Sequence, residues 1–295
     1  MLILIADAFD AGLAGKLERF GEVTTDHDRL GEADVLLIRS KTKATREYID
    51  SAPRLKLIIR GGVGTDNIDK VYAAEKGIVV RNTPKASSIA VAECAFALMI
   101  AVPNHLVKGH QGMTEGKWLK KELKRTELCG KTLCLIGMGN IAVEVAKRAA
   151  AFGMKIKAYR QSGRPSEYAE VKPTLEEALA GADYVSMHTP LTPETAGMFN
   201  RESIGWMKDG AVLVNTGRGK CVVAEDVVAA LESGKLAAYA TDVWPSDPPP
   251  PDYPILRAPN VVMLPHLGAS TKENLLRIGE EVEAIITEVQ EGGAL

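Results

Sequence analysis

Residues 132–148 read T-L-C-L-I-G-M-G-N-I-A-V-E-V-A-K-R. An apolar run of strand composition meets glycines at 137 and 139, and an alanine-rich segment of helical spacing follows. That order of strand, turn and helix gives weight to G-x-G-x-x-G/A, which alone is a weak match. Gly137 permits a tight turn. Gly139 lets the backbone approach a pyrophosphate, and the helix start presents N–H groups and a partial positive charge. Ala142 is small enough for the helix to pack close on the strand. The competing reading is a turn that merely joins a strand to a helix.

The next apolar run, K-I-K-A-Y (155–159), leads into R-Q-S-G-R (160–164). A unit that binds NAD usually carries an acid at this strand end, roughly 20 residues beyond the glycine turn, to accept the ribose hydroxyls. Here the position is Arg160. An arginine cannot accept those bonds, but it can stack on adenine and pair with a 2′-phosphate. Ser162 and Arg164 share the loop. The site therefore leans toward NADP(H), with NAD(H) as the alternative. A solvated basic loop without a ligand is the bland alternative.

Outward from this unit, short apolar runs alternate with helical patterns: 2–5, 35–38, 55–59, 78–80, 132–136, 155–159, 184–188, 211–215, 237–241 and 261–264. Continuous apolar strands between helices imply parallel sheets covered on both faces, and ten strands suit two sheets better than one. A long helical pattern from Ser87 to about Lys117, interrupted by Pro103, marks the break. The helical spacing of residues 270–291 lets the chain return to the first unit. The expected fold is α/β, with two doubly wound parallel-sheet domains. A Rossmann nucleotide-binding domain (96–268) is inserted in a discontinuous flavodoxin-like substrate domain (1–95 and 269–295).

Composition narrows the function. The chain has 295 residues, 46% apolar and 25% charged, with a net charge of −2. That is a globular balance without the basic field that nucleic acid would require. Apolar runs such as residues 95–102 are too short to span a bilayer, so no membrane role is expected. The start M-L-I-L-I-A-D has no basic flank or small-residue cleavage site and reads as a strand, not a signal peptide. The four cysteines are scattered and the five histidines form no metal-ligand spacing. The expectation is a cytoplasmic protein with free thiols and no structural metal.

Further motifs complete the pattern: I-R-S-K-T-K-A-T (38–45), L-K-L-I-I-R-G-G-V-G-T-D-N-I-D (55–69), R-N-T-P-K-A-S-S-I-A-V-A-E (81–93), H-T-P-L-T-P-E-T (188–195), N-T-G-R-G (215–219), T-D-V-W (241–244) and P-H-L-G-A-S-T (265–271). With these the chain resembles the D-isomer-specific 2-hydroxyacid dehydrogenases over nearly its whole length, and their phosphoglycerate dehydrogenase branch most of all. The resemblance implies an oxidoreductase that interconverts a small D-2-hydroxy acid and its 2-keto acid, usually as a homodimer. It implies Arg218, an acid after D-V-W, and His266 as catalytic residues. Cofactor contacts would fall on Asn140, Ile141, Thr189, Pro190, Thr216, Gly217 and Asp242. The substrate carboxylate would rest on N–H groups around Val63 and Gly64.

These residue types suit the chemistry. Reduction of a 2-keto acid needs a hydride donor, a proton for the forming alkoxide and a cation near the carboxylate and carbonyl. A charged His266 can supply the proton and Arg218 the cation. The third position, glutamate in most of the family, falls on Asp247. A carboxylate there would favour the imidazolium and hold the ring, but aspartate is one methylene shorter, so its oxygens should recede by roughly 1.5 Å unless the backbone moves. Arg39 and Arg60 end apolar strands and, with Ser40, form a candidate phosphate clamp; surface ion pairs are the alternative. Glyoxylate and hydroxypyruvate compete with 3-phosphoglycerate as substrate. A non-catalytic dinucleotide-sensing protein is the rival from another class. The length leaves no room for a C-terminal regulatory domain, so serine feedback through one is not expected.

Overall fold

The computed structural model describes residues 1–293 and 295; Ala294, within the expected 269–295 segment, lies outside the described residues. The chain divides into two compact units, Met1–Ser88 with Ala269–Leu295, and Ile89–Gly268.

The first unit runs β1 (Leu2–Ile5), α1 (Leu13–Leu17), β2 (Glu22–Thr24), β3 (Val35–Ile38), α2 (Arg46–Asp50), β4 (Leu57–Arg60), α3 (Lys70–Glu75) and β5 (Val79–Asn82). Its parallel sheet has the order β2-β1-β3-β4-β5. Successive side chains point to opposite faces of a strand. Ile3 and Ile5 therefore join one core with Val35, Leu37, Leu57 and Ile59, whereas Leu4, Leu36, Ile38 and Ile58 join another. Two buried faces explain why these strands read as unbroken apolar runs.

The second unit begins with α4 (Ser88–Ala101) and α5 (Leu106–Thr114). It continues β6 (Thr132–Ile136), α6 (Asn140–Ala151), β7 (Lys155–Tyr159), β8 (Glu170–Lys172), α7 (Leu175–Leu179), β9 (Tyr184–Met187), α8 (Arg201–Trp206), β10 (Ala211–Asn215), α9 (Ala224–Glu232), β11 (Leu236–Thr241) and β12 (Val261–Met263). Its parallel sheet has the order β12-β11-β10-β9-β6-β7-β8. The division at Ser88 precedes the expected one at residue 95. The reason is that α4 is one unbroken helix, and its Ala92, Ala95, Phe96, Leu98 and Met99 pack in the core of the second unit. Among the described residues no single helix is long and apolar enough to cross a membrane; α4 and α5, apolar enough together, are bent by 62° at the break between them.

α10 (Lys272–Glu291) belongs to the first unit. Thr271 caps it by accepting the Asn274 N–H, and Ile278, Val282, Ile285, Ile286 and Val289 line one buried face at helical spacing.

Each sheet reverses its strand order once, between β1 and β3 in the first unit and between β6 and β9 in the second. In open α/β sheets ligands bind outside the carboxyl ends of the strands at such a point.

Candidate active site

In the second unit the reversal is lined by the glycine turn. Gly137 follows β6 at φ +87°, and a Cβ there would lie 2.9 Å from the His188 carbonyl oxygen, so only glycine fits. Gly139 is different. Its φ of −88° and ψ of −171° are open to any residue, and an added Cβ would meet nothing within 4 Å. The chain's own packing does not call for glycine there. The open space above this backbone, at a helix start with no side-chain cap, is what a pyrophosphate needs. Asn140 and Ile141 open α6, while Ala142 is fully buried against the sheet. These residues fit a dinucleotide.

At the end of β9, His188 sits between two hydroxyls, with Ser186 Oγ 2.9 Å from Nε2 and Thr216 Oγ1 3.3 Å from Nδ1. Burial pushes its pKa down to about 3, so the ring is neutral. The H-T-P motif by itself gives His188 no role, because its partner Thr216 stands 28 residues away in the chain. The neighbouring Thr189 Oγ1 is buried without a hydrogen-bond partner among the described residues, and the Pro190 carbonyl accepts from Thr195 Oγ1 at 2.6 Å.

After β10, the fully buried Asn215 shapes the next turn. Its Oδ1 accepts the Gly217 N–H at 3.0 Å and its Nδ2 donates to the Arg218 carbonyl at 3.0 Å. Thr216 and Gly217 are thereby fixed, and Arg218 Nη1 donates to the Gly217 carbonyl at 2.7 Å. Gly219 is needed because a Cβ would come within 2.1 Å of the Trp244 main chain.

The turn after β12 carries His266, a non-glycine residue held at φ +58°. Its Nδ1 lies 2.5 Å from Asp247 Oδ2, both side chains being partly exposed. The shorter acid therefore reaches the ring without the expected recession of its oxygens. Asp242, 2% exposed, accepts the N–H groups of Leu267 and Gly268, and burial raises its carboxyl above the usual range.

Arg160 immediately follows β7, with Ser162 and Arg164 exposed beside it. Neither guanidinium makes a hydrogen bond or ion pair among the described residues. Two free cations at the strand end leave this loop able to meet an anion.

The first unit has its own arrangement. Asp7 lies just past β1 and accepts the Arg39 N–H at 2.5 Å and the Thr42 N–H and hydroxyl. Asn67 Nδ2 donates to the carbonyls of Arg39 and Thr42. So pinned, Arg39 reaches the carbonyls of Ala8 at 3.3 Å and Ala269 at 3.4 Å, with Nε buried and without a hydrogen-bond partner among the described residues. Burial lowers its pKa from the usual arginine value, and Asp7 opposes the shift. Arg39 is in no ion pair among the described residues. Ser40 beside it is exposed.

Arg60 ends β4 and folds over Gly62, where a Cβ would overlap Nη1 at 1.6 Å. The Gly62 N–H donates to Thr83 Oγ1 at 2.7 Å, and Asn82 Nδ2 donates to the Val63 carbonyl at 2.6 Å. The N–H groups of Val63 and Gly64 find no acceptor among the described residues. Such a pair of donors is a ready anion cradle. No group of three or more His, Cys, Asp or Glu among the described residues is placed to hold a metal ion.

Comparison with known proteins agrees with this geometry. Residues 96–268 match the NAD-binding domain profile of the D-isomer-specific 2-hydroxyacid dehydrogenases. The chain is 46% identical over 282 residues to a hydroxypyruvate reductase of Thermotoga maritima, covering 91% of each. It is 41% identical over 303 residues to a D-3-phosphoglycerate dehydrogenase of Methanocaldococcus jannaschii, covering 98% of this chain but 57% of that one. Among solved structures, the TT0316 protein of Thermus thermophilus aligns with a TM-score of 0.90 at 36% identity, over 99% of this chain and 97% of the other. An NADPH-dependent glyoxylate/hydroxypyruvate reductase of Sinorhizobium meliloti, in complex with NADP and malonate, aligns at 0.84 and 27% identity, over 95% and 91%. The chain belongs to the D-isomer-specific 2-hydroxyacid dehydrogenases, the NAD-binding oxidoreductases that act on the CH–OH group of small 2-hydroxy acids.

Proposed function

We propose that this chain interconverts 3-phosphoglycerate and its 2-keto acid, with NADP(H) preferred over NAD(H). The observation that carries the reading is the His266–Asp247 pair, set in the same unit as the glycine turn and Arg218. The dinucleotide, when bound, supplies the hydride. Gly137, Gly139, Asn140, Ile141, Thr189, Pro190, Thr216, Gly217 and Asp242 would hold it. Arg160, Ser162 and Arg164 would take a 2′-phosphate, and the free guanidiniums support that preference.

His266 gives its proton to the forming alkoxide in reduction and takes it back in oxidation. With Nδ1 engaged by Asp247, Nε2 is the nitrogen left to carry that proton. Arg218 polarises the carbonyl and holds the carboxylate. We assign the N–H groups of Val63 and Gly64 to the carboxylate, and Arg39, Ser40 and Arg60 to the phosphate. The under-used Arg39 guanidinium supports this assignment.

A second reading, hydroxypyruvate or glyoxylate reduction, is favoured by the Thermotoga maritima relative, which matches along nearly its full length. A non-catalytic dinucleotide sensor would have no need of the His266–Asp247 pair. We also assign the chain to the cytoplasm, which suits its four free cysteines. We further assign it to homodimers, and the exposed Leu106, Val107, Met113 and Trp118 support a protein contact on the second unit.

The test is turnover with NADPH and with NADH against 3-phosphohydroxypyruvate, hydroxypyruvate and glyoxylate. Greatest kcat/KM on the phosphorylated acid with NADPH is the expected result. Turnover of none of the three would defeat the reading.

A further inference from the structure

The turn that carries His266 is held from both sides. Before it, the Leu264 N–H donates to the Thr241 carbonyl and the Trp244 indole N–H to the Leu264 carbonyl, each at 2.9 Å. After it, the buried Asp242 carboxylate accepts the Leu267 N–H at 2.6 Å through Oδ1 and the Gly268 N–H at 2.7 Å through Oδ2. Gly268 lies so close that a Cβ would stand 2.9 Å from Oδ2. Between these anchors His266 adopts φ +58°, a left-handed conformation that is unfavourable for a residue with a Cβ and persists where the surroundings impose it.

We infer that Asp242 is a positioning residue for the proton donor, acting through the main chain of Leu267 and Gly268 to hold the left-handed turn at His266. This rests on the reading of His266 as the acid, and it adds to the cofactor contact assigned to Asp242. Both carboxylate oxygens are engaged by the two residues that follow the histidine. An amide of the same size would keep one acceptor and turn a donor toward the other N–H, leaving that N–H unsatisfied in a buried site. The turn would then relax and carry the imidazole with it. A misplacement of about 1 Å in a reacting group costs on the order of a hundredfold in rate.

The experiment compares Asp242→Asn and Gly268→Ala in the full chain; the second strains the same contact from the backbone side. Three quantities are read: kcat for keto-acid reduction at saturating NADPH, the solvent deuterium isotope effect on kcat, and the NADPH dissociation constant without keto acid. Both variants should lose roughly ten- to hundredfold in kcat. The isotope effect should rise in both as proton transfer becomes slower, and Gly268→Ala, which leaves the Asp242 carboxylate in place, should keep NADPH affinity within threefold of wild type. Should Asp242→Asn fail to fold, Gly268→Ala decides on the same readouts. Two results overturn the inference against an active wild type. One is kcat within twofold in both variants. The other is a loss confined to Asp242→Asn that comes with tenfold weaker NADPH binding and an unchanged isotope effect. An inactive wild type would overturn the proposed function together with it.

Discussion

The points of strand reversal in the two sheets gather different chemistry. In the first unit the flanking ends of β1 and β3 lead to Asp7 and Arg39, both ionised types. In the second, β6 and β9 lead to Gly137, His188 and Thr189, and burial has stripped His188 of its charge. The contrast follows from the groups themselves. A guanidinium holds its proton even when partly buried, whereas an imidazole in the same situation gives it up. An anion at the first point can therefore meet a fixed cation. At the second it must rely on main-chain N–H groups and the helix start, with Arg160 and Arg164 displaced to the end of β7. The first arrangement suits recognition of a charged substrate, and the second suits close approach of a dinucleotide.

Substitution of the proton donor tests that division most severely. His266→Gln should lower kcat by roughly 10²–10⁴, the usual contribution of a positioned acid or base. Substrate KM and NADPH affinity should stay within a few-fold. A loss below tenfold in steady-state assays would place the acid elsewhere. Next in size is Arg160→Asp, which removes a charge-assisted hydrogen bond worth about 1.5–3 kcal/mol and so ten- to hundredfold in kcat/KM for NADPH over NADH. The melting temperature should move little, because the Arg160 side chain makes no hydrogen bond or ion pair among the described residues. A wild type that prefers NADH tenfold or more would break the assignment before any variant is made.

How far the sequence reveals this arrangement depends on the range of the forces involved. Interior strands such as β3 and β10 are buried on both faces and are plain as apolar runs. The three-residue edge strands β2 (E-V-T) and β8 (E-V-K) carry no such run, and pairing with β1 and β7 makes them strands. The glycine turn is legible because its chemistry is local. Asp7 and Asn67 escape notice because each holds Arg39 or its loop across a long stretch of chain. His188 hides for the same reason, since its partner Thr216 comes from another strand end. Asp247 shows the limit most clearly. Its residue type predicts a short reach, yet the loop path brings Oδ2 to the ring.

Recognition by the first unit is tested at Arg39 and Arg60. Arg39→Gln and Arg60→Ala should each raise KM for 3-phosphohydroxypyruvate about tenfold, as expected for loss of one charged contact of about 1.4 kcal/mol or more. KM for glyoxylate should change by less than twofold. Equal effects on both substrates would show that no phosphate is read there and would favour the hydroxypyruvate or glyoxylate reading.

The smallest effect should come from His188, and it concerns stability. Burial depresses its pKa to about 3 in the fold from the ordinary imidazole value of about 6.5. As pH falls below 6.5 the unfolded chain takes up this proton first, so the fold loses stability from there down toward pH 3. The slope from this one group is at most about 1.4 kcal/mol per pH unit. His188→Gln does not titrate, yet its amide can both donate to and accept from Ser186 and Thr216. The variant should be the less stable chain at pH 7, through poorer packing, and the gap should narrow on acidification. Between pH 6 and pH 5 the two melting temperatures should converge by roughly 2–4 °C, the shift that about 1 kcal/mol produces in a unit of this size. Melting curves that stay parallel across that interval would mean that the folded chain accommodates a charged His188. The contrast between a charged and a neutral reversal point would then fail at its second member.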